Sequence, residues 1–500
     1  MFEQKSIDLN TFPFQPEALR LIPEAMARKY NVIPLAVTNN TLLLAMAEDT
    51  NVLILQEMTV VAKMRIEPVL ADASAIKRSI DNNYRSYKDI EKQFDGASEE
   101  MRLRKKTVTP DISDSPVVRA LDLIMNEAVK VHASDIHIEP QEDKLRVRYR
   151  IDGMLHDNIS LPLSAHTPLL TRVKVMASMN IADHKPQDGQ FSLEVKDQNI
   201  DVRVATIDTI YGEMISLRIL DKSFAALKLS ELGLLSSGFE QYVNMLKSPL
   251  GMILVSGPTG SGKTTTLYAS VNTLDRVGRH VVTIEDPIEY RFKDINQIQV
   301  NAKAGLTFAN GLRSIMRHDP DVILVGEIRD ADTAEISTQA ALIGRLVLSS
   351  VHANDTVGVF FRLMDLGVGK FLISATLIGI VSQRMVRRVC PYCAHPTKAP
   401  LEAQLAYCTE IGEERTEFLY GKGCNACANT GYLGRVALFE VMPMNHEMRD
   451  ALIADSSADQ LRAIAKKSGM ITTWRDGMLK VKENITTPSE VLRSVFHNVE

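Results

Sequence analysis

Nine residues constrain this chain more than any others: GPTGSGKTT, Gly257 to Thr265. They follow the apolar run MILVS and lead into TTLYASVNTL, which reads as a helix. The pattern G-x-x-x-x-G-K-[ST] between a strand and a helix is a phosphate cradle. Gly257, Gly260 and Gly262 let the backbone curl until its N–H groups face an anion, and the helix N-terminus adds partial positive charge. Pro258, Thr259, Ser261 and Thr265 complete the loop. Lys263 is expected to reach the β- and γ-phosphates of a nucleotide, and Thr264 to offer its hydroxyl to Mg²⁺.

The surroundings suit such a loop. Between about 230 and 385, the apolar runs LGMILVSGP, HVVTIEDP, DVILVGE and RLVLSSVH alternate with helical patterns. That alternation predicts a parallel sheet in an α/β domain. In many nucleotide hydrolases a strand like DVILVGE ends in Asp-Glu, the Asp holding the metal and the Glu polarising water. Here Gly326 takes the Asp position, before Glu327. TIEDPIEY ends the preceding strand with Glu285, Asp286 and Glu289, which are expected to supply the missing carboxylates directly or through metal-bound water. Ligands of open α/β sheets lie beyond the carboxyl ends of the strands, where all these segments stop. A solvated turn is the other reading of the three acids. His352, at the end of VLSSVHAND, is placed to sense the γ-phosphate, or is a hydrogen-bonded core histidine. Arg313 and Arg317 share one helical face as site, interface or solvated residues.

Residues 1 to about 85 read as a small α+β module, with Leu19, Ile22, Ala25, Met26 and Tyr30 at helical spacing. The charged stretch 88–110 reads as a linker. KLRVRYRID alternates, with Leu145, Val147, Tyr149 and Ile151 on one face and Arg146, Arg148 and Arg150 on the other. Arg203 and Arg218 lie on the polar faces of two similar strands, so this region is expected to present arginines outward. Cys390, Cys393, Cys424 and Cys427 form two C-x-x-C pairs, a pattern for tetrahedral Zn²⁺ with a structural role; Cys408 is left over. SADQ (Ser457 to Gln460) and TPSE (Thr487 to Glu490) are capping boxes in a helical tail. A net charge of −5 over 500 residues gives no reason to expect nucleic acid. No apolar stretch reaches the roughly 18 residues of a spanning helix, and the N-terminus lacks an export signal. A cytosolic chain is expected, with any membrane role exerted through partners.

Taken in order, GPTGSGKTT, TIEDPIEY, DPDVILVGEIRD and STQAALIGRLVLSSVHANDT resemble the four signature boxes of the secretion-type traffic ATPases, which include type II secretion and type IV pilus assembly ATPases. The likeness extends to ASDIHIEP, VRYRIDG, PQDGQFSL, DVRVAT and GEMISLRIL before the core, and to CPYC and GCNACANTGYLGRVALFEV after it. The resemblance implies an α/β fold with a RecA-like P-loop core, preceded by α+β domains and followed by a zinc-bound insert and a helical C-terminal part. The expected divisions are 1–87, a partner-binding module; 88–110, the linker; 111–228, a second α+β domain; 229–388, the core; 389–440, the zinc subdomain; and 441–500, the helical tail. It further implies a cytoplasmic homohexamer that hydrolyses ATP with Mg²⁺ beside the inner membrane. Its partners would be a membrane platform protein and a cytoplasmic-ring or membrane-anchored adaptor that binds the N-terminal module. Lys263, Glu285, Asp286, Glu289, Glu327 and His352 fall on the family's catalytic positions, and Arg203 and Arg218 on those of arginines reaching the nucleotide. A low-turnover assembly scaffold and a retraction motor are the alternatives. Arg345 stands where the family usually has another histidine. The N-terminal module lacks the Arg-Leu-Gly start associated with cyclic dinucleotides, so that ligand is not expected.

Overall fold

The computed structural model describes residues 9, 16–19, 21–38, 41–47, 52–84, 116–195, 198–220 and 227–495. The stretch 88–110 lies outside the described residues. By its contacts the chain divides into two units. The first holds Met1–Asp221 with Cys390–His395 and Tyr420–Leu433; the second holds Lys222–Val389, Pro396–Leu419 and Gly434–Glu500.

In the first unit, β1 (Val32–Thr38) pairs antiparallel with β2 (Thr41–Met46), which pairs parallel with β3 (Arg65–Leu70). The helical spacing from Leu19 to Tyr30 is split into two helices, Pro16–Leu19 and Glu24–Tyr30. Pro23, extended just before the second helix, separates the two: it restrains the residue before it and offers no N–H to a preceding turn. Asn31 ends that helix in the left-handed region at φ 48°, and β1 follows at once, a strand that the helical periodicity concealed.

Later in this unit β4 (Ala133–Pro140), β5 (Lys144–Ile151), β6 (Met154–Pro162), β7 (Gln187–Val195), β8 (Gln198–Thr209) and β9 (Gly212–Leu220) form one antiparallel sheet, ordered β6-β5-β4-β9-β8-β7. The alternation in β5 holds: Leu145, Val147 and Tyr149 are fully buried, and the Tyr149 hydroxyl donates to the Ile124 carbonyl at 2.9 Å. The arginines of this sheet meet acids on neighbouring strands. Arg146 makes two bonds to Asp157, at 2.7 and 2.8 Å, Arg148 meets Glu139, and Arg218 donates to Asp135 at 3.0 Å. Carboxylates on neighbouring strands neutralise these arginines, because cross-strand partners on one face lie within side-chain reach.

In the second unit β10 (Gly251–Ser256), β11 (Val281–Glu285), β12 (Asn296–Gln299), β13 (Val322–Val325), β14 (Leu346–Val351), β15 (Leu377–Val389) and β18 (Tyr432–Pro443) form a seven-stranded sheet. The order is β12-β11-β13-β14-β10-β15-β18, and pairing is parallel from β12 through β15. Two short strands, β16 (Ala394–Lys398) and β17 (Glu417–Gly421), pair separately. Every residue of β10, β11, β13 and β14 is buried, as expected for strands covered on both faces. β12, β15 and β18 add to the four strands read from the sequence. β12 is short and polar, so it carries no apolar run. β18 starts within the segment expected to form the zinc subdomain, yet it runs in this sheet. Among the described residues no helix is long and apolar enough to cross a membrane.

Four helices, His446–Ile453, Ala458–Lys467, Thr473–Lys482 and Pro488–Val495, follow β18. Ser457 and Gln460 cap each other reciprocally. At the second capping box, Thr487 accepts from the Glu490 N–H at 3.1 Å, but the Glu490 carboxylate turns to β15 and binds Arg387 at 2.8 and 3.0 Å, as well as Arg493. Burial alone would raise this carboxyl. The Arg493 and Arg387 guanidinia outweigh it and hold the group at about 2, against an ordinary 4.5. Because the folded value lies below the unfolded one, the pair's stabilisation is complete above pH 4.5 and disappears as pH falls through 2. We expect Glu490→Gln to destabilise the protein by about 3 kcal/mol at pH 7. In denaturant titrations the gap from wild type should narrow steadily between pH 4.5 and 2; a gap independent of pH would exclude this electrostatic account.

Candidate nucleotide-binding site

β10 lies between β14 and β15 and delivers the chain to Gly257 at the carboxyl end of the sheet. Gly257, Gly260 and Gly262 have φ of 143°, 77° and 90°, conformations that side chains resist. At Gly257 the need is also steric, since a Cβ would lie 2.3 Å from the Gln383 carbonyl oxygen. The helix Lys263–Thr273 starts directly after Gly262. Pro258, Thr259, Gly260 and Thr264 are exposed, Thr265 half-buried and Ser261 buried. The Lys263 ammonium donates to the carbonyls of Gly257 and Pro258 at 2.8 and 3.1 Å. Burial lowers its pKa, against the opposing attraction of Glu327. The curled loop, the helix N-terminus and an ammonium group together form an anion site, and the exposed Thr264 hydroxyl fits a hard cation such as Mg²⁺.

The acids separate into two roles. Glu285 is 3% exposed. One carboxylate oxygen accepts from the Tyr268 hydroxyl, the other from Thr283 at 2.6 Å and from Gln297 at 3.2 Å. Three hydrogen bonds thus tie the Glu285 carboxylate to the sheet and to the helix after the loop. The bond to Glu285 is also one reason the Tyr268 hydroxyl is pushed far above its ordinary pKa, burial being the larger. The same hydroxyl accepts from the Glu289 N–H at 3.3 Å, so it joins the loop helix to the acidic turn. Asp286 is exposed, Glu289 half-buried, and Asp286 acts electrostatically on Arg329.

Gly326 has a packing reason. Its N–H donates to Ile284 O at 2.8 Å, and a Cβ there would meet the Glu285 Cα at 3.3 Å and Ile284 O at 3.4 Å. A side chain there would crowd the β11 backbone, which would have to give by a few tenths of an ångström. Glu327 follows, 16% exposed, with one oxygen on the Arg329 guanidinium and the other 3.7 Å from His352 Nε2. Burial and then the Lys263 charge push the His352 pKa down, against the opposing pull of Glu327. Lys263, Glu327, Arg329 and His352 therefore interact as one charged cluster at the open end of the sheet. Arg329 went unassigned in the sequence, although it stands two residues after Glu327. Gln383 was also missed; the only signal was an amide within the apolar run LIGIVSQRMV.

Arg203 and Arg218 face each other across β8 and β9 in the first unit. Arg345 precedes β14 and pairs with Asp319 at 3.5 Å, whereas His352 follows the same strand. Six residues of strand, roughly 20 Å, separate the two, so a histidine at 345 would not touch the His352 bonds. Arg313 and Arg317 are exposed, Arg313 donating to Asn310 at 3.2 Å.

Cys390, Cys393, Cys424 and Cys427 bring their sulfurs together, all within 4.8 Å of one another. The distances are 3.8 Å for Cys390–Cys424, 3.9 Å for Cys393–Cys427 and 3.7 Å for Cys424–Cys427. A tetrahedral zinc thiolate with bonds of about 2.3 Å has edges of about 3.8 Å, so the residues fit the ion. Burial pushes the Cys390 thiol up to about 11 and raises Cys393. Cys427 is buried too, yet N–H groups of Cys424 and Gly431, at 3.2 and 3.3 Å, hold its thiol below the ordinary value. Cys408, on the helix Leu401–Ile411, stands apart from this cluster.

Two outcomes follow from this geometry. Gly326→Asp should destabilise the protein by about 1–3 kcal/mol through crowding of β11, read as a lower denaturant midpoint; an unchanged midpoint would show that β11 yields freely. Purified protein should contain about one zinc per chain by elemental analysis, and a strong chelator should lower its melting temperature. Retained stability after complete metal removal would deny the cluster a structural role.

A profile of the type II/IV secretion system protein family matches residues 111–493, and the MshEN domain matches residues 2–89. The chain is 36% identical over 498 residues to the type IV pilus assembly ATPase PilB of Myxococcus xanthus, covering 97% of this chain and 88% of that protein. It is 38% identical to the PilB of Thermus thermophilus, covering 97% of this chain but 55% of the longer protein. Against type II secretion system protein E of Pseudomonas aeruginosa it is 43% identical over 384 residues, 76% of each. Among solved structures, the Legionella pneumophila ATPase DotB aligns at TM-score 0.56 and 22% identity, over 74% of this chain and 94% of that one. The pilus retraction motor PilT with bound ADP aligns at 0.50 and 24%, over 75% and 96%. These two share the mixed α/β fold. With a family profile spanning most of its length and relatives of this similarity, the chain belongs to the type II/IV secretion system protein family.

Proposed function

We propose that this chain is the ATP-hydrolysing motor subunit of a type IV pilus assembly or type II secretion machine. It would work as a cytoplasmic homohexamer at the inner membrane, pushing on a membrane platform protein while an adaptor binds the N-terminal module. The observation that carries the reading is the cluster of Lys263, Glu327 and His352 at the strand ends where the phosphate loop opens. The relatives named as pilus assembly ATPases support the task. In this reading 229–388 is a RecA-like core, and 1–87, 111–228, 389–440 and 441–500 are the attached domains.

The loop N–H groups from Gly257 to Thr265 and the Lys263 ammonium hold the β- and γ-phosphates. Thr264, with help from Asp286 and Glu289, would hold Mg²⁺, which would neutralise phosphate charge when bound. Glu285 acts from behind, fixing Tyr268 and through it the acidic turn. Glu327 leaves Arg329 to orient a water and takes its proton as the water oxygen bonds to the γ-phosphorus. The bond to the bridging oxygen breaks, and ADP carries away that electron pair. His352 donates a hydrogen bond to the γ-phosphoryl as negative charge develops there.

Mg²⁺-dependent phosphate release from the purified full chain tests this reading. Glu327→Gln should lower turnover by about 10²-fold or more while ATP binding stays close to wild type. Lys263→Ala should lose binding itself. Wild-type protein that binds ATP without turning over, alone or with a platform protein, would favour a nucleotide-binding scaffold instead.

A further inference from the structure

Gln383 lies in β15, 1% exposed, at the end of the buried run 379–383. A buried amide is costly unless its groups are paired. Its Nε2 donates to the Ser261 carbonyl at 2.5 Å, and its Oε1 accepts from the Thr266 hydroxyl at 2.8 Å. The Ser261 carbonyl needs a donor, which fixes the orientation of the amide. The backbone of Gln383 also limits the loop: its carbonyl oxygen fills the space beside Gly257, and its Nε2 lies 3.0 Å from where a Gly262 Cβ would stand. One residue thus touches the start of the loop, its far turn and the first turn of the helix beyond. In the same seam the hydroxyls of Ser256, Ser261 and Ser382 are buried without a hydrogen-bond partner among the described residues, so they do not share this task.

We infer that Gln383 is a positioning residue for phosphate binding, resting on the reading that the loop binds ATP. A trans peptide points its C=O and N–H in opposite directions. The bond from Gln383 draws the Ser261 carbonyl outward, so the Gly262 N–H on the same peptide is turned toward the cradle. Thr266, held by the other end of the amide, keeps the first helical turn in register with that peptide. Without Gln383 the Ser261–Gly262 peptide is free to rotate, and one phosphate-facing N–H is no longer preorganised.

Three substitutions separate this role from plain packing. Gln383→Met keeps the bulk and removes both polar groups. Gln383→Glu keeps the acceptor for Thr266 and removes the donor to Ser261. Thr266→Val removes only the bond at Oε1. In the full chain we expect KM for ATP to rise about tenfold in the Met and Glu variants, with kcat at saturating ATP within about threefold of wild type. Thr266→Val should shift KM by about threefold or less. The ligand-free melting temperature reports folding for each variant. If the Met variant does not fold, Gln383→Asn, which keeps the amide but falls short in reach, takes its place with the same expected rise in KM. A folded Glu and a folded Met or Asn variant with wild-type KM would overturn the inference. So would losses of kcat, KM and melting temperature in equal proportion across all variants, which mark a packing role. Wild-type protein with no affinity for ATP would instead remove the nucleotide reading on which the inference rests.

Discussion

The site depends on a backbone loop that only glycine can form, seated against a neighbouring strand with no space between them. Gly257 takes φ 143° with the Gln383 carbonyl where its side chain would be, so β10 and β15 approach at the loop's entrance. Two further glycines at positive φ complete the curl. Because β10 is an interior strand, flanked by β14 and β15, strands on both sides end near the point where the loop opens. A closely packed interior transmits this geometry, and few of its side chains can change volume without cost.

The same crowding explains the unusual end of β13. Gly326 leaves room for the β11 backbone, so the sheet closes tightly where a metal-binding aspartate stands in many other hydrolases. Glu285, directly across that contact, is buried and bonded to Thr283, Gln297 and Tyr268. The acidic turn is therefore layered: a structural carboxylate beneath and more exposed ones, Asp286 and Glu289, above. Glu327 is shared between Arg329 and His352, so this carboxylate is electrostatically coupled to both neighbours.

Buried carboxylates serve the scaffold elsewhere in this unit. Glu490 holds the last helix to β15 through Arg387. Asp476 accepts from the Phe439 N–H at 2.6 Å while Lys480 reaches Asp476 and the Ala437 carbonyl, fastening another helix to β18. Removing one partner of such a pair strands a buried charge, which costs more than the intact pair contributes. These contacts fix the positions of the C-terminal helices against the sheet that carries the loop.

Features set by local stereochemistry were legible in the chain. The glycine–lysine loop, the fully buried strands around it, the alternation in β5 and the paired C-x-x-C knuckles each depend on a few neighbouring residues, and each stands where the pattern pointed. Features set by approach in space were hidden. Glu285 and Asp286 look alike as adjacent acids, but one is turned into the sheet because strands alternate their side chains. The acids that meet Arg146, Arg148 and Arg218 come from neighbouring strands and could not be read from the alternation itself. Gln383 is more than a hundred residues beyond the loop it braces, and Arg345 and His352, seven apart in sequence, end on opposite ends of one strand. Short-range geometry is encoded by residue type and spacing; the partner of a buried polar group depends on which distant segment folds against it.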